Sequence, residues 1–475
     1  MKDTLLQVKE YEISKPLKRM FRQWQNQSSG SLRKFLLSAL VVAMWHTLAK
    51  PGASAADDWS DRVSLTALAE ARVGISTLNA DLQLSELVLT PELNIEVSDR
   101  WRLTAIGRGR IDTSDKLEPG KPIQNNRAHL SRRAFIGDTT DLELREFYLD
   151  GEVGKVFLRL GKQQVVWGEA DGLKVLDVVN PQSFREFILP RFDDSRIPLW
   201  IAKAEIPIGD ASTLQLVWVP DRTYHDVPEP GSTFAFSSPQ LTPQPTPGVP
   251  VTVLPPDRPS KFVADSDAGI RFATFVGGWE LSLNYFYHYT DSPVFRRTIG
   301  SEGVTVSSKY ERTHLIGGSF NNAFGDFVIR GEAGYSTNEF FLTNNMADVD
   351  GVTASGEFSY VVGIDWTGLS DTFLSVQFFQ SVLTNSAPGT VRPDVENLIT
   401  LFGRRNFRNE TITAEALLIQ NIADGDGVIQ AELSYDWRDN IELYLGVDLF
   451  YGTSEGIFGE FNKNDRMVSG IRLGF

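Results

Sequence analysis

The chain of 475 residues has no cysteine, only five histidines and five methionines. It also has no apolar run approaching the ~18–20 residues that a membrane-crossing helix needs. Lack of cysteine excludes a disulfide framework and thiolate chemistry. The histidines are too scattered for a metal site, and no cofactor is expected. His129 and His225 fall in expected loops and His288 and His314 in expected strands; Ser282 and Ser292 lie near His288, yet no spacing compels a nucleophile–base pair. A hydrolase is thus only a minor alternative. No glycine-rich loop stands between a strand and a helix to hold phosphate. With 46 Lys and Arg against 61 Asp and Glu, net charge −15, the chain offers no basic surface for nucleic acid.

What is present begins with an export signal. The stretch "FLLSALVVAMWHTLA", Phe35–Ala49, follows Arg33 and Lys34 and precedes Ala53-Ser54-Ala55. A basic flank, a short apolar core and small residues predict a signal peptide over residues 1–55, either with an N-terminal extension or with a true start at Met20. Without it, 37 Lys and Arg face 58 Asp and Glu, a net −21. An exported chain that forgoes disulfides draws stability from elsewhere, and a closed sheet in a membrane is one such source.

From residue 60 onward the pattern is period-2 alternation in stretches of roughly 10–16 residues. In "IELYLGVDLFYG", Ile441, Leu443, Leu445, Val447, Leu449 and Tyr451 share one face, with Glu442, Tyr444, Gly446 and Asp448 on the other. Soluble sandwich strands are mostly five or six residues long, whereas tilted bilayer-spanning strands need about 9–11. Strands are predicted at 62–77, 82–97, 100–111, 142–151, 155–165, 198–207, 212–220, 267–276, 279–290, 309–320, 326–337, 356–367, 372–383, 396–404, 410–420, 428–437, 441–451 and 466–475. The connections alternate long and short back from the end, as external loops and periplasmic turns do. The fold class is therefore all-β: a transmembrane antiparallel up-and-down barrel over 56–475 with 18 strands, or 16 if one hairpin is miscounted. With the last strand running down to the periplasm, Trp101, Trp279, Trp366, Trp437 and Phe475 form one aromatic girdle, and Tyr287, Tyr289, Tyr335 and Tyr451 the other.

The segment "RLGKQQVVWGEADGLKVLDVVNPQSFREFILPRFDDSRIPLW", Arg159–Trp200, carries Arg159, Gly161, Gln163, Trp167, Gly168, Asp177, Asn180, Pro181, Arg196 and Pro198. This pattern resembles a family of Gram-negative outer-membrane proteins catalogued as a domain of unknown function, over about 40 residues. The resemblance implies a porin-like barrel, in a family whose members often stand beside inner-membrane export pumps. The chain's ending, "RMVSGIRLGF", resembles the terminal aromatic motif read by the barrel-assembly machinery. Further expected partners are outer-membrane lipid and lipopolysaccharide; whether copies associate is left open.

The phase opposite the apolar one lines the lumen. Arg100, Arg102, Arg108 and Arg110, extended by Lys155 and Arg159, form a basic wall, free to meet solute or paired with acids such as Glu143 and Glu146. The connection 166–197 is too apolar for an exposed loop and is expected to fold into the barrel mouth as a constriction. It carries Trp167, Glu169, Asp171, Asp177, Asn180, Glu186, Asp193, Asp194 and Arg196. Within it "NPQSFREFILP" predicts a short helix capped by Asn180 and ended by Pro190. An acidic loop facing arginines would set a transverse field, as in general porins. An outside lid is the competing placement. The proline-rich connection 221–266 is expected to be an open-coil external spacer or partner surface, and "DGDG" at 424–427 a tight turn. The resulting expectation is a passive outer-membrane pore for small solutes. The alternative is a conduit for hydrophobic or lipid-like cargo acting with an export system.

Overall fold

The computed structural model describes residues 62–170, 172–345, 347–385 and 388–475. The expected signal peptide and Asp171 lie outside the described residues. Eighteen long antiparallel strands form one barrel: β1 (Val63–Ser76), β2 (Leu82–Ser98), β3 (Trp101–Asp112), β4 (Thr140–Val153), β5 (Val156–Gln163), β6 (Leu199–Ile208), β7 (Ser212–Val219), β8 (Asp267–Val276), β9 (Trp279–Tyr289), β10 (Arg312–Phe324), β11 (Phe327–Leu342), β12 (Val352–Trp366), β13 (Thr372–Leu383), β14 (Val395–Phe407), β15 (Ile412–Asn421), β16 (Gly427–Arg438), β17 (Ile441–Tyr451) and β18 (Arg466–Gly474). Each pairs with its neighbour in sequence. The sheet closes where β1 meets β18, in register from Leu68↔Gly474 to Ser76↔Arg466. Closure leaves no long unpaired edge, which answers how a chain without cysteine secures a large sheet. All eighteen strands coincide with expected ones. Their ends differ by a few residues, most at β10, β11 and β12, where the ladder continues past the alternating stretch.

The alternation becomes a two-sided wall. On β16 and β17, Leu433, Tyr435, Leu443 and Leu445 point outward and are exposed, while Tyr444 and Asp448 point inward and are buried. Turns of two to five residues join the strands at one end, for instance 99–100, 277–278 and 439–440. The opposite end carries the long connections 113–139, 164–198, 220–266, 290–311 and 452–465. Trp101, Trp279, Trp366, Trp437 and Phe475 all lie at the turn end of their strands, and Tyr287, Tyr289 and Tyr451 at the loop end.

Two features of the loop end had no separate sequence signal. Ala134–Ile136 adds a short spur to β4. Val294–Gly300, Gly303–Lys309 and Val251–Val253 make a three-stranded sheet above the barrel, the last pairing in parallel. The proline-rich connection corrects the open-coil expectation in part: Tyr224 and Phe234 are buried while Val251, Val253 and Leu254 are exposed. Average composition hid this, since the aromatic anchors precede most of the prolines.

Candidate functional site

The connection between β5 and β6 turns into the barrel, and the family-like motif residues build its base. Gly161 on β5 has φ +134°, and a Cβ there would sit 2.2 Å from the Phe147 carbonyl oxygen, so only glycine fits this close strand approach. Arg159 beside it is clamped by Asp150, Nε to Oδ1 at 2.6 Å, and stacks over the Tyr148 ring. Asn180 ties the two stems together: its Oδ1 accepts from Val165 N–H at 2.7 Å, and its amide donates to the Gln163 and Ile197 carbonyls. Arg196 grips Asp177 at 2.8 Å, and Lys174 holds the same carboxylate at 2.7 Å. These bonds consume the side chain expected to cap a helix. Gln182 and Ser183 are instead extended, bridged to Arg196 and Asp226, and Phe187 has φ +53°. The expected helix over 180–190 is therefore absent; a four-residue turn of helix, Phe192–Ser195, follows it. The reason is that Asn180 and Gln182 find better partners across the segment than along it.

From this base the segment crosses the lumen and is held on opposite walls by different chemistry. Toward β7–β11 close apolar packing is joined by hydrogen bonds to the segment's backbone and indole. Trp167 is buried edge-on to Phe286 at 5.5 Å and donates its indole N–H to Gln215 Oε1 at 2.6 Å. Gly269 makes room for the ring, since a Cβ there would lie 2.6 Å from Trp167 Cη2. Leu176 fills the gap left by Gly317 and Gly334. The Glu332 carboxylate of β11 accepts backbone N–H groups of Glu169, Val175 and Leu176 at 2.7–3.3 Å, and Arg330 donates to the Glu169 carbonyl. Toward β1–β3 and β18 the contacts are ionic. Glu186 meets Arg72 at 2.5 Å and Arg466 at 2.8 Å. Arg185 meets Glu86, Asp112 at 2.9 Å and Glu118 at 2.7 Å.

The charge layout corrects the expected transverse field. The segment faces β3 with Arg185, not with acids. Arg108 is paired with Glu143 at 2.5 Å, and Arg110 lies within 3.5–3.9 Å of Glu118, Asp141 and Glu86. Glu143 in turn holds Arg127 at 2.8 Å. Arg100, Arg102 and Lys155 lie at the turn-end rim; Arg102 approaches Glu96 at 3.4 Å with both side chains largely in water. Of the segment's other charges, Asp193 pairs with Arg196 at 2.6 Å yet stays exposed, Asp194 is exposed, and Glu169 approaches Arg271 at 4.0 Å. Residue pairing across 67 positions or more carries no local sequence signal. Arg72, Glu86, Arg185 and Arg466 were therefore not foreseen in this site.

Outside the strands the network sets protonation. Burial alone would push the Glu118 carboxyl up, but Arg133 first, then Arg185 and Arg110, hold it well below the usual range. Burial lowers His225 to about 3; its neutral Nδ1 accepts the Gln182 N–H at 2.8 Å. His288 bonds the Tyr289 carbonyl, and Ser282 bonds Asn284 and Ser319. Neither histidine faces a serine.

Above the segment lies an aromatic plug. Phe187 packs at 4.7 Å from Phe461 and within 6.3 Å of Phe236, Phe450 and Phe458, drawing in the connections 220–266 and 452–465. Lumen-facing Leu398, Ile419 and Val428 complete this cluster.

Fold and site together define a porin-like barrel of eighteen strands with an inserted segment spanning its lumen. Residues 79–444 match the family described as "Protein of unknown function (DUF1302)", and the chain belongs to that family. No curated protein matches the chain. Among solved structures it is similar to Salmonella typhi OmpF in complex with daunomycin, at 12% identity over 87% of this chain and 97% of that one, TM-score 0.42. It is likewise similar to the outer membrane channel DcaP of Acinetobacter baumannii (9%, 87% and 97%, 0.41) and a mutant Rh. blastica porin (13%, 87% and 100%, 0.38).

Proposed function

We propose that this chain is an outer-membrane channel for small solutes whose bore is set by the inserted segment 166–197. The observation that carries the reading is the segment's double attachment, Glu186 to β1 and β18 and Glu332 to the backbone of Glu169, Val175 and Leu176. The outward apolar, inward polar wall belongs in a bilayer, and closed barrels of 16–18 strands leave space for an aqueous path. A channel fits the site better than an enzyme, since the His314–Tyr285 hydroxyl pair, 2.9 Å apart, lies on the outward phase of β9 and β10, away from the lumen. A second reading, a conduit for apolar cargo, draws on the lumen-facing Phe379, Leu398, Leu417 and Ile419, where a porin wall is normally polar. Planar-bilayer recording separates the two. An open channel gives steady ohmic current that rises when 166–197 is deleted, a cut that leaves the β5–β6 hairpin in register from Gln163↔Leu199. A wild type that stays silent while the deletion conducts would overturn the open-channel reading in favour of a gated conduit.

A further inference from the structure

Below the inserted segment, toward the turn end, the lumen wall departs from a uniformly polar lining. On β13 to β15, strand parity places Phe373, Phe402 and Leu417 inward, because Leu374, Val376 and Leu401 of the opposite parity are exposed on the outside. Phe373 and Phe402 lie 5.9 Å apart, and Phe402 stands opposite Leu417 in the ladder. At the rim of this half-buried apolar strip stand two arginines. Arg404 of β14 lies over the Phe373 ring at 5.8 Å, and Arg191 hangs from the tip of the inserted segment. Both approach the single carboxylate of Glu415, at 3.8 and 4.0 Å, too far for hydrogen bonds. Their side chains remain 49% and 74% exposed. The neighbouring Arg472 is occupied otherwise, by Glu70 at 3.0 Å, Glu432 at 3.2 Å and Glu442. Two guanidinium groups sharing one carboxylate at these distances leave open donors facing water, next to aromatic and aliphatic surface that water does not favour.

We propose that this vestibule binds amphipathic anions of medium chain length, such as an alkyl carboxylate, as the solute presented to the inserted segment. The tail lies along Phe373, Phe402 and Leu417, and the acid group bridges Arg191 and Arg404. A bidentate guanidinium–carboxylate contact replaces the loose pairing to Glu415. Because Arg191 belongs to the segment and Arg404 to the wall, occupancy joins the two. The proposal rests on the channel reading for its purpose, though not for the binding itself.

The test uses the purified full-length barrel in detergent with a diazirine derivative of octanoate, and the matching octanol derivative as neutral control. Photolabelling should map to peptides carrying Phe373, Phe402 or Leu417. Arg191→Glu with Arg404→Glu should reduce the octanoate label at least five-fold and the octanol label less than two-fold. Arg404→Gln, which removes one guanidinium without adding charge, should give an intermediate loss. Equal octanoate labelling of variant and wild type, or equal losses for both probes, overturns the proposal, as does label confined to outward-facing residues. Conductance on the same preparations separates the two ideas. Labelling without current supports the site and sinks the channel; current without labelling sinks the site alone.

Discussion

The two walls that hold the inserted segment differ in chemistry, and the difference shows how a barrel can seat one loop with two kinds of contact. On the β7–β11 side the segment fits by shape: Trp167 over Gly269 and Leu176 over Gly317 and Gly334, with buried neighbours such as Phe286 and Leu315. On the β1–β3 and β18 side it fits by charge: Arg185 and Glu186, adjacent in sequence, meet carboxylates and guanidinium groups of opposite sign in the wall. Shape contacts fail when volume is added. Buried ion pairs fail when one partner is removed, because the remaining charge is stranded. Since these pairs are buried, salt screens them little.

The comparison is most sharply broken on the ionic side. Glu186→Gln removes the carboxylate shared by Arg72 and Arg466, which keep Glu86 at 2.6 Å and Asp448 at 2.7 Å, so the cost sits at the low end of the about 3–5 kcal/mol for breaking buried pairs. The chain lacks cysteine, so Ser195→Cys, at a buried position, gives a single reporter of the segment's seating. Maleimide labelling of that cysteine should accelerate at least a hundredfold in the Glu186→Gln background. Unchanged labelling would show that the ionic wall does not hold the segment.

On the apolar side the expected effect is smaller. Gly269→Ala places a methyl against Trp167 and Phe286, both side chains that can shift, and overpacking of this kind costs about 1–3 kcal/mol. Tryptophan-fluorescence and labelling changes should therefore be about ten- to a hundredfold milder than for Glu186→Gln. Trp167→Phe keeps most of the packing and loses the bond to Gln215 and part of the ring volume, a net of about 1–2 kcal/mol. If Trp167→Phe released the segment as fully as Glu186→Gln, the division of labour would be reversed.

How far this was legible beforehand follows from the range of each interaction. Period-2 alternation is a local signal, so β16 and β17 could be placed from residues 428–451 alone. The inward course of 166–197 was also legible, since Val175, Leu176, Val178 and Val179 could not all face water. Its detailed shape was not. Asn180 and Pro181 read locally as a helix start, but Asn180 is spent joining Val165 to Ile197, a contact that exists only once β5 and β6 pair. The arginines of β3 were legible as inward-facing. Arg108 and Arg110 meet Glu143 and Asp141 directly across the β3–β4 ladder, and only the contact with Glu118 depends on a connection folding back over the barrel. Phe234 was hidden for a related reason, since the prolines after it set the character of its loop while its partners, Phe450 and Phe461, lie more than two hundred residues on.

The smallest effect sits between the two walls, at His225. Its folded value near 3 lies below the ordinary value of about 6.5, so the unfolded or released state takes up a proton first. Its contribution to seating is thus complete above pH ~6.5 and is lost as pH falls toward 3. The nearby charges are Lys174, which adds to the lowering, and Asp226, which opposes it and is itself held by Arg127. The carboxylates of Glu118 and Asp226, both held low, begin to lose their stabilisation as pH falls through the ordinary carboxylate range. Between pH 6.5 and 4.5 the histidine therefore acts with little interference from these two acids. Labelling of the Ser195→Cys reporter should rise gradually over that interval in the wild-type background. It should stay flat with His225→Asn, whose amide oxygen can still accept the Gln182 N–H without titrating. A slope that survives the substitution would move the pH dependence of seating from the histidine to the ion network.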